Sequence, residues 1–187
     1  IEPYRMIQIY AGVGAGKNAW VAHLVESGKR VLLVTSRKAT ADAQANKLEG
    51  CRWINLDEIQ KPEGNNAVVV TNAGIEKYIK HKYNKDDEKT HLWKYFDIVV
   101  IDEAHSLVAD ATFSDAPFHV MSFVAKTLNS SSCKVILMTG TPDLLNSILN
   151  PNILQRKDFN SIDIYSKCNH VFPENVFLFG DKQKLVE

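Results

Sequence analysis

Runs of consecutive apolar residues recur along this chain between stretches that are rich in polar residues and glycine. The clearest runs are Met6–Tyr10, Val31–Val34, Ala67–Thr71, Ile98–Ile101 and Val135–Met138. Predominantly apolar runs of this length are typical of strands that are covered on both faces in a parallel sheet. Weaker patterns predict further short strands at Trp53–Leu56, Ile162–Tyr165 and Val176–Phe179. The pattern therefore predicts a sheet whose central strands are buried.

Between these runs, apolar residues recur at the spacing of a helix face. The predicted helices are Gly16–Glu26, Ala39–Leu48, Gly74–Tyr83, Pro117–Leu128 and Thr141–Leu149, with turns at Lys61–Asn66 and Asn129–Ser132. Proline at the first position of a helix and glycine just after its end, as Gly28 is here, are the usual helix boundaries. Because strands alternate with helices, we expect one three-layer α/β domain, with helices on both faces of a mostly parallel sheet.

The composition is that of an ordinary globular protein. Its 187 residues are 45% hydrophobic and 24% charged, and 22 basic residues balance 22 acidic ones. No global field therefore attracts nucleic acid or a membrane surface, so a polyanion could be bound only by a local patch. We find no run that could span a bilayer and no signal-peptide pattern, and we expect no membrane partner. Residues 1–179 are expected to form one domain, and residues 180–187 to begin a linker toward a second.

The number and spacing of the cysteines indicate the redox conditions of the protein's cellular compartment. Cys51, Cys133 and Cys168 are widely spaced and form no CxxC pair. Their odd number and their spacing disfavour a disulfide framework and a zinc site. We therefore expect a protein of the reducing cytoplasm.

A glycine-rich stretch follows the first predicted strand and leads directly into the first predicted helix. Its residues are Gly12, Val13, Gly14, Ala15, Gly16, Lys17 and Asn18. Small residues let the backbone curl so that successive N–H groups point into one concavity, at the helix end that favours anions. Lys17 adds a full positive charge. The stretch predicts a cradle for phosphate groups, and the alternative is a glycine-rich turn that binds nothing.

Two further polar motifs follow predicted strands. They are Asp102–His105, with the sequence DEAH, and Thr139–Pro142, with the sequence TGTP. The carboxyl ends of parallel strands lie along one edge of an open sheet, where ligands bind. A nucleoside triphosphatase needs groups that hold phosphate, a magnesium ion and an oriented water molecule. Lys17 and the loop amides suit the first task, Asp102 suits the second, and Glu103 suits the third.

Together these motifs resemble those of the N-terminal RecA-like ATPase domain of superfamily 2 helicases and translocases. Ala11–Lys17 matches the form A-x-x-G-x-G-K, Asp102–His105 matches the second motif in its DEAH form, and Thr139–Pro142 is similar to the third motif of restriction-enzyme-like and Swi/Snf-like members. Ser36–Arg37 and Val70–Asn72 look like the elements that contact a nucleic-acid strand. The likeness covers nearly the whole chain, with the motifs in the family's order.

The resemblance implies a P-loop domain that binds ATP and Mg²⁺ and hydrolyses ATP to ADP and phosphate in a helicase or translocase. It assigns Gly14, Gly16 and Lys17 to the phosphates, Asp102 to magnesium and Glu103 to the role of base. It also assigns His105, Thr139, Gly140 and Thr141 to coupling, and Ser36, Arg37, Thr71 and Asn72 to the nucleic-acid backbone. Contacts of that kind are independent of base sequence. We expect DNA in preference to RNA.

Among the departures from the family's pattern, two bear on catalysis. Asn18 stands where a hydroxyl residue normally ligates magnesium, and its amide oxygen is the expected substitute on a longer arm. The second RecA-like domain, whose arginine finger can be worth about 10³–10⁵ in rate, lies outside this sequence. We therefore expect the domain alone to bind ATP weakly and to hydrolyse it poorly.

The residues leave alternative functions open. A degenerate P-loop module would bind nucleotide as a switch without hydrolysis, which Asn18 favours and the acidic pair Asp102 and Glu103 disfavours. Another P-loop motor, such as a phage DNA-packaging ATPase, is disfavoured by the pairing of His105 with Thr139–Pro142. For the residues assigned to coupling and to strand contact, the alternatives are a buried, hydrogen-bonded histidine, ordinary helix capping and surface charge.

Overall fold

The computed structural model of this chain describes residues 4–12, 14–47, 51–53, 67–81, 94–130, 132–141 and 159–163. The strands are β1 (Met6–Tyr10), β2 (Val31–Thr35), β3 (Cys51–Trp53), β4 (Ala67–Thr71), β5 (Ile98–Ile101), β6 (Lys134–Thr139) and β7 (Phe159–Asp163). The helices are α1 (Lys17–Glu26), α2 (Lys38–Lys47), α3 (Asn72–His81), α4 (Ser106–Ala109) and α5 (Ala116–Ser130).

These strands form one parallel sheet. Their order is β3-β4-β2-β5-β6-β1-β7, and neighbouring strands run in the same direction throughout. In the middle of the sheet, Leu33 of β2 lies opposite Val69 of β4 on one side and Val100 of β5 on the other. Parallel strands need crossover connections, which the intervening helices supply. The predicted parallel α/β fold is confirmed.

Two apolar cores lie on the two faces of the sheet. Successive side chains of a strand point to opposite faces, so Leu32 and Val34 belong to one core while Val31 and Leu33 belong to the other. The first core is covered by α3, α4 and α5, through Ile75, Tyr78, Ile79, Leu107 and Phe123. The second is covered by α1 and α2, through Val21, Leu24, Val25 and Ala41. The three predicted layers are therefore present.

Two helix boundaries differ from the predicted ones. α3 begins at Asn72 and not near Gly74, because the hydroxyl of Thr71 accepts a hydrogen bond from the Gly74 N–H (3.2 Å) and so caps the helix earlier. α5 continues to Ser130, where a turn was expected from Asn129. Its last turn is held against the core by Thr127 and Leu128, which are buried.

Strand limits depend on pairing partners as well as on local sequence. β3 comprises Cys51–Trp53, which pairs with Ala67–Val69 of β4, so it includes residues ahead of the predicted start at Trp53, and residues 54–56 of the predicted strand lie outside the described residues. β7 begins at Phe159, ahead of the predicted Ile162, because all of β1 is paired with it.

Several predicted elements lie outside the described residues, namely the helix at 141–149, the strand at 176–179 and the turn at 61–66. The expected domain limits, residues 1–179 with a linker at 180–187, stay a prediction. Across the ranges given above, the helices lack the length and apolarity that crossing a membrane would require.

Candidate functional site

The three polar motifs lie on neighbouring strands at the carboxyl edge of the sheet. Since β2, β5, β6 and β1 are adjacent in that order, the segments that follow them are also neighbours. Backbone hydrogen bonds connect these segments. The N–H of Ala104 donates to the carbonyl of Met138 (2.8 Å), and the N–H of Ala11 donates to the carbonyl of Thr139 (2.9 Å). The motifs therefore meet at one edge, as parallel topology requires.

The segment between β1 and α1 turns through left-handed backbone conformations. φ is 80° at Gly14 and 83° at Gly16, a region in which side chains cause strain. Open space surrounds the position that a Cβ would take at either residue, so the backbone conformation and not crowding requires glycine. Ala15 is half-buried, and its N–H donates to the carbonyl of Gly12 (3.3 Å). Because α1 starts at Lys17, the positive end of its dipole lies at the end of this loop.

A cavity of about 440 Å³ opens beside this loop. It is lined by Gly12, Gly14, Gly16, Lys17, Asn18, Thr40, Gln44, Asp102 and Glu103. The lining unites the lysine of one motif with both carboxylates of another, although the two motifs are far apart in sequence. The volume is in the range of small-molecule sites. Val13 lies outside the described residues.

The ammonium group of Lys17 is held beside the glycine-rich loop by neighbouring oxygen atoms. Its ammonium nitrogen donates to the carbonyl of Ala11 (2.8 Å) and to that of Gly12 (3.3 Å). It lies 3.5 Å from Oε1 of Glu103, and 11% of its side chain is exposed. The ammonium group is thus fixed by backbone and carboxylate oxygens, at a point where it can meet an incoming anion.

The carboxyl group of Asp102 lies in a buried position, which disfavours its charged form. The residue is 5% exposed, and its Oδ1 accepts a hydrogen bond from the N–H of Glu103 (3.0 Å). Burial raises the pKa of its carboxyl, the neighbouring charge of Glu103 raises it further, and the charge of Lys17 opposes both effects. A cation in the cavity would favour the ionised form in the same way as Lys17 does.

The oxygen donors of the cavity fit a magnesium ion that is bound jointly with phosphate. Asp102 offers a carboxylate and Asn18 an amide oxygen. Within the part of the chain described, no group of three or more His, Cys, Asp or Glu side chains could hold a metal ion by itself. Mg²⁺ is usually bound by one or two carboxylates together with waters and substrate phosphates, so this donor set suits it.

Glu103 has a strained backbone. Its φ of 49° makes it a residue with a side chain in the left-handed region. Such outliers cost roughly 1–3 kcal/mol and tend to occur at functional sites. Its side chain is 38% exposed, with Oε1 facing Lys17 and Oε2 lying 3.2 Å from Nδ1 of His105. The carboxylate is therefore held at the cavity wall and remains open to solvent.

His105 connects the second motif to the third. Its Nδ1 lies 3.1 Å from Oγ1 of Thr139, whose side chain is fully buried. The same Oγ1 accepts a hydrogen bond from the N–H of Thr141 (3.0 Å). Gly140 passes close to the phosphate loop, since a Cβ there would lie 3.6 Å from the carbonyl oxygen of Ala11. Close polar contacts thus connect the carboxylate of Glu103 to His105, and hydrogen bonds continue from His105 through Thr139 to the backbone after β6.

A comparison with protein families decides the classification. Residues 4–144 match the family model described as type III restriction enzyme, res subunit. The chain belongs to this family. The matched range includes the phosphate loop, Asp102–His105 and the whole TGTP motif, Thr139–Pro142. A search of curated proteins found no significant match.

Solved helicase structures resemble the fold of this res-subunit family member. A hypothetical ATP-dependent RNA helicase from Sulfolobus tokodaii has 18% sequence identity and a TM-score of 0.59, over 85% of this chain and 48% of that chain. The DEAH/RHA helicase HrpB from Escherichia coli has 16% identity and a TM-score of 0.56, over 85% of this chain and 20% of that chain. This chain thus spans about half of the first and a fifth of the second. The predicted resemblance to RecA-like helicase domains is confirmed, and the low identities limit these two comparisons to fold.

Sequence reasoning missed two residues of the cavity wall, Thr40 and Gln44 of α2. Gln44 is 5% exposed, and its Nε2 donates a hydrogen bond to Oδ1 of Asn18 (2.8 Å). A signal was available, because Gln44 follows Ala41 at a spacing of three residues and so falls on the same face of the predicted helix. A polar side chain on that face needs a partner. Asn18 itself is exposed at the start of α1.

The residues predicted to contact nucleic acid lie at the same edge, in different settings. Arg37 is exposed and Ser36 is half-buried, just before α2. The hydroxyl of Thr71 caps α3, as the alternative interpretation of this residue expected. Asn72 is 5% exposed, and its Oδ1 lacks a hydrogen-bond partner among the described residues. Arg37 is therefore the best placed of the four to meet a phosphate backbone.

Proposed function

We propose that this domain binds ATP with Mg²⁺ and acts as the first motor domain of a nucleic-acid helicase or translocase. On this proposal it hydrolyses ATP to ADP and phosphate once a second RecA-like domain completes the site. The observation that carries the proposal is the convergence of Lys17, Asp102 and Glu103 on one cavity beside a left-handed glycine loop. Membership of the res-subunit family supports it.

Each side chain has a task that follows from its setting. The loop amides and Lys17 bind the phosphates, where positive charge favours the triphosphate. Asp102 and Asn18 are the residues that would hold Mg²⁺, which supplies charge neutralisation between the outer phosphates. Glu103 orients a water molecule and accepts its proton, since its carboxylate is both fixed and exposed at the cavity wall.

The hydrogen-bonded path through His105, Thr139 and Thr141 is suited to carry the nucleotide state toward the nucleic-acid side. Ser36 and Arg37 would contact the phosphate backbone of the track, so binding would depend little on base sequence. We propose DNA as the track, in line with the restriction-enzyme family. RNA stays a competitor, because the Sulfolobus protein is titled an RNA helicase.

A second candidate function is a nucleotide-binding switch without hydrolysis. The observation that favours it is Asn18, whose amide oxygen already accepts a hydrogen bond from Gln44. Against it stands Glu103, whose backbone is strained and whose carboxylate faces the cavity, since a pure binding site does not need such a group. Phosphate release by the full-length protein separates the two candidates.

The proposal predicts that ATP with Mg²⁺ stabilises the domain and that Lys17→Ala abolishes the effect. At about ten times the Kd, binding adds about 1.4 kcal/mol, which raises Tm by roughly 3–6 °C. Thermal unfolding with and without nucleotide measures this. Lys29→Ala is the matched control, because that lysine is exposed at the opposite edge of the sheet. Absence of any shift in the unmodified domain would remove the basis of the proposal.

A further inference from the structure

Two amide side chains meet at the wall of the cavity. Gln44 reaches from α2 to the first turn of α1, where its Nε2 donates to Oδ1 of Asn18 (2.8 Å). The two residues differ in freedom, because Gln44 is 5% exposed, whereas Asn18 is exposed. The buried residue is therefore the fixed partner, and the exposed one is the side chain that it orders.

This contact is made at a cost to the fold. Oε1 of Gln44 is buried and has no hydrogen-bond partner within the described residues. A buried polar atom without a partner destabilises the folded state, and such an atom needs an explanation. An apolar residue at this position of α2 would avoid the cost. The amide nitrogen of Gln44 supplies a reason for glutamine at this position. It donates to Asn18, which stands where the family's pattern has a hydroxyl side chain.

We propose that Gln44 is a positioning residue, which fixes the amide oxygen of Asn18 so that it can serve as a ligand of Mg²⁺ bound with nucleotide. A carbonyl oxygen has two lone pairs. One accepts from Gln44, and the second stays available to the metal. Asparagine is longer than the hydroxyl residue it replaces and has one more rotatable bond, so it needs such a restraint. The inference rests on the proposed nucleotide site.

The same contact connects two functional segments. α2 begins at Lys38, directly after Ser36 and Arg37, the candidate contacts to a nucleic-acid backbone. Gln44 lies about 1.7 turns further along the same helix. A displacement of α2 would thus move Gln44, which holds Asn18. Nucleic-acid binding at Ser36 and Arg37 would in this way affect the metal ligand by a route that does not pass through His105.

The test compares nucleotide affinity with and without Mg²⁺. The quantity measured is the ratio of the Kd for a fluorescent ATP analogue in EDTA to its Kd in Mg²⁺. We expect Gln44→Met, which keeps the volume and removes the donor, to lower this ratio about tenfold and to leave the Kd in EDTA within about twofold. Asn46→Met is the matched control, because it removes an exposed amide from the same helix without effect on the ratio.

A second background separates positioning from packing. In Asn18→Thr the hydroxyl reaches the metal without help, so adding Gln44→Met should change nothing. Asn18→Ala should lower the ratio as Gln44→Met does, and the double variant should be no worse than Asn18→Ala alone. An unchanged ratio in Gln44→Met, or an equal loss in the Asn18→Thr background, would overturn the inference and leave the proposed function intact. If the unmodified domain bound no analogue in either buffer, both the inference and the proposed function would fail.

Discussion

Two aspartates flank β5, and their settings are opposite. Asp97, before the strand, accepts three hydrogen bonds from Arg30, one from its backbone N–H (2.9 Å) and two from its guanidinium (2.7 and 3.3 Å). The guanidinium holds the pKa of Asp97 below its ordinary value. Asp102, after the strand, is buried, and burial raises the pKa of its carboxyl. One strand thus carries a stabilised charge at its amino end and a destabilised charge at its carboxyl end.

The difference separates structural from functional use of the same residue type. Asp97 also joins strands through its backbone, since its N–H donates to the carbonyl of Arg30 and its carbonyl accepts from the N–H of Lys134, both at 2.9 Å. Asp102 faces a cavity with Lys17 and Glu103. Burying a charge without a full set of partners opposes folding, so its presence at the carboxyl edge indicates a task for that charge.

The largest effect is expected for Asp102→Asn. Asparagine keeps the oxygen that accepts from the N–H of Glu103 and removes the buried charge, so the free energy of unfolding at pH 7 should rise by about 1 kcal/mol. The affinity for ATP in Mg²⁺ should fall about tenfold or more, because the metal loses its carboxylate. Urea unfolding without nucleotide and an ATP titration measure the two effects. A variant that is less stable than the unmodified protein and binds ATP equally well would show that the charge of Asp102 is structural and not functional.

An effect on stability of opposite sign, without any loss of ATP affinity, is expected for Asp97→Asn. The variant loses charge-assisted hydrogen bonds, but Asp97 and Arg30 are 38% and 50% exposed, so the free energy of unfolding should fall by only about 1 kcal/mol. Affinity for ATP should not change, since Asp97 lies at the other edge of the sheet.

The pH dependence of this difference follows from the direction of the shift. A lowered pKa in the folded state stabilises the protein above the ordinary carboxyl pKa, near pH 4, and that stability is lost as pH falls through the folded-state value. The difference in free energy of unfolding between the unmodified protein and Asp97→Asn should therefore have its full size at pH 7 and shrink below about pH 4. Unfolding in urea across this range measures it. A gap that is constant with pH would show that the charge of Asp97 is not its cause.

The smallest effect concerns the residue after Asp102. Glu103 has a φ of 49°, which glycine adopts without strain, so Glu103→Gly should be more stable than Glu103→Ala by about 0.5 kcal/mol. Both variants lose the carboxylate, so both should lose hydrolysis by the full-length protein. Thermal unfolding of the pair isolates the backbone term. Equal Tm values would indicate that the backbone relaxes when the side chain leaves Lys17 and His105.

The sequence predicted the fold and the motif residues because both are recorded in local patterns. Runs such as Ile98–Ile101 identify buried parallel strands, and the glycines before Lys17 identify a loop that needs left-handed backbone. The start of α3 was placed two residues late, although capping by Thr71 was among the alternatives, because a single hydroxyl decides it. The start of β7 depended on β1, a partner far away in the chain.

Of this protein, the sequence alone determined the alternation of strands and helices, the three polar motifs and their order. Only the tertiary structure decided which aspartate of β5 is stabilised, that the backbone of Glu103 is strained, and that Gln44 reaches Asn18. The physical reason is that periodicity is a property of neighbouring residues, whereas burial, pKa and hydrogen-bond partners depend on what the folded chain brings close.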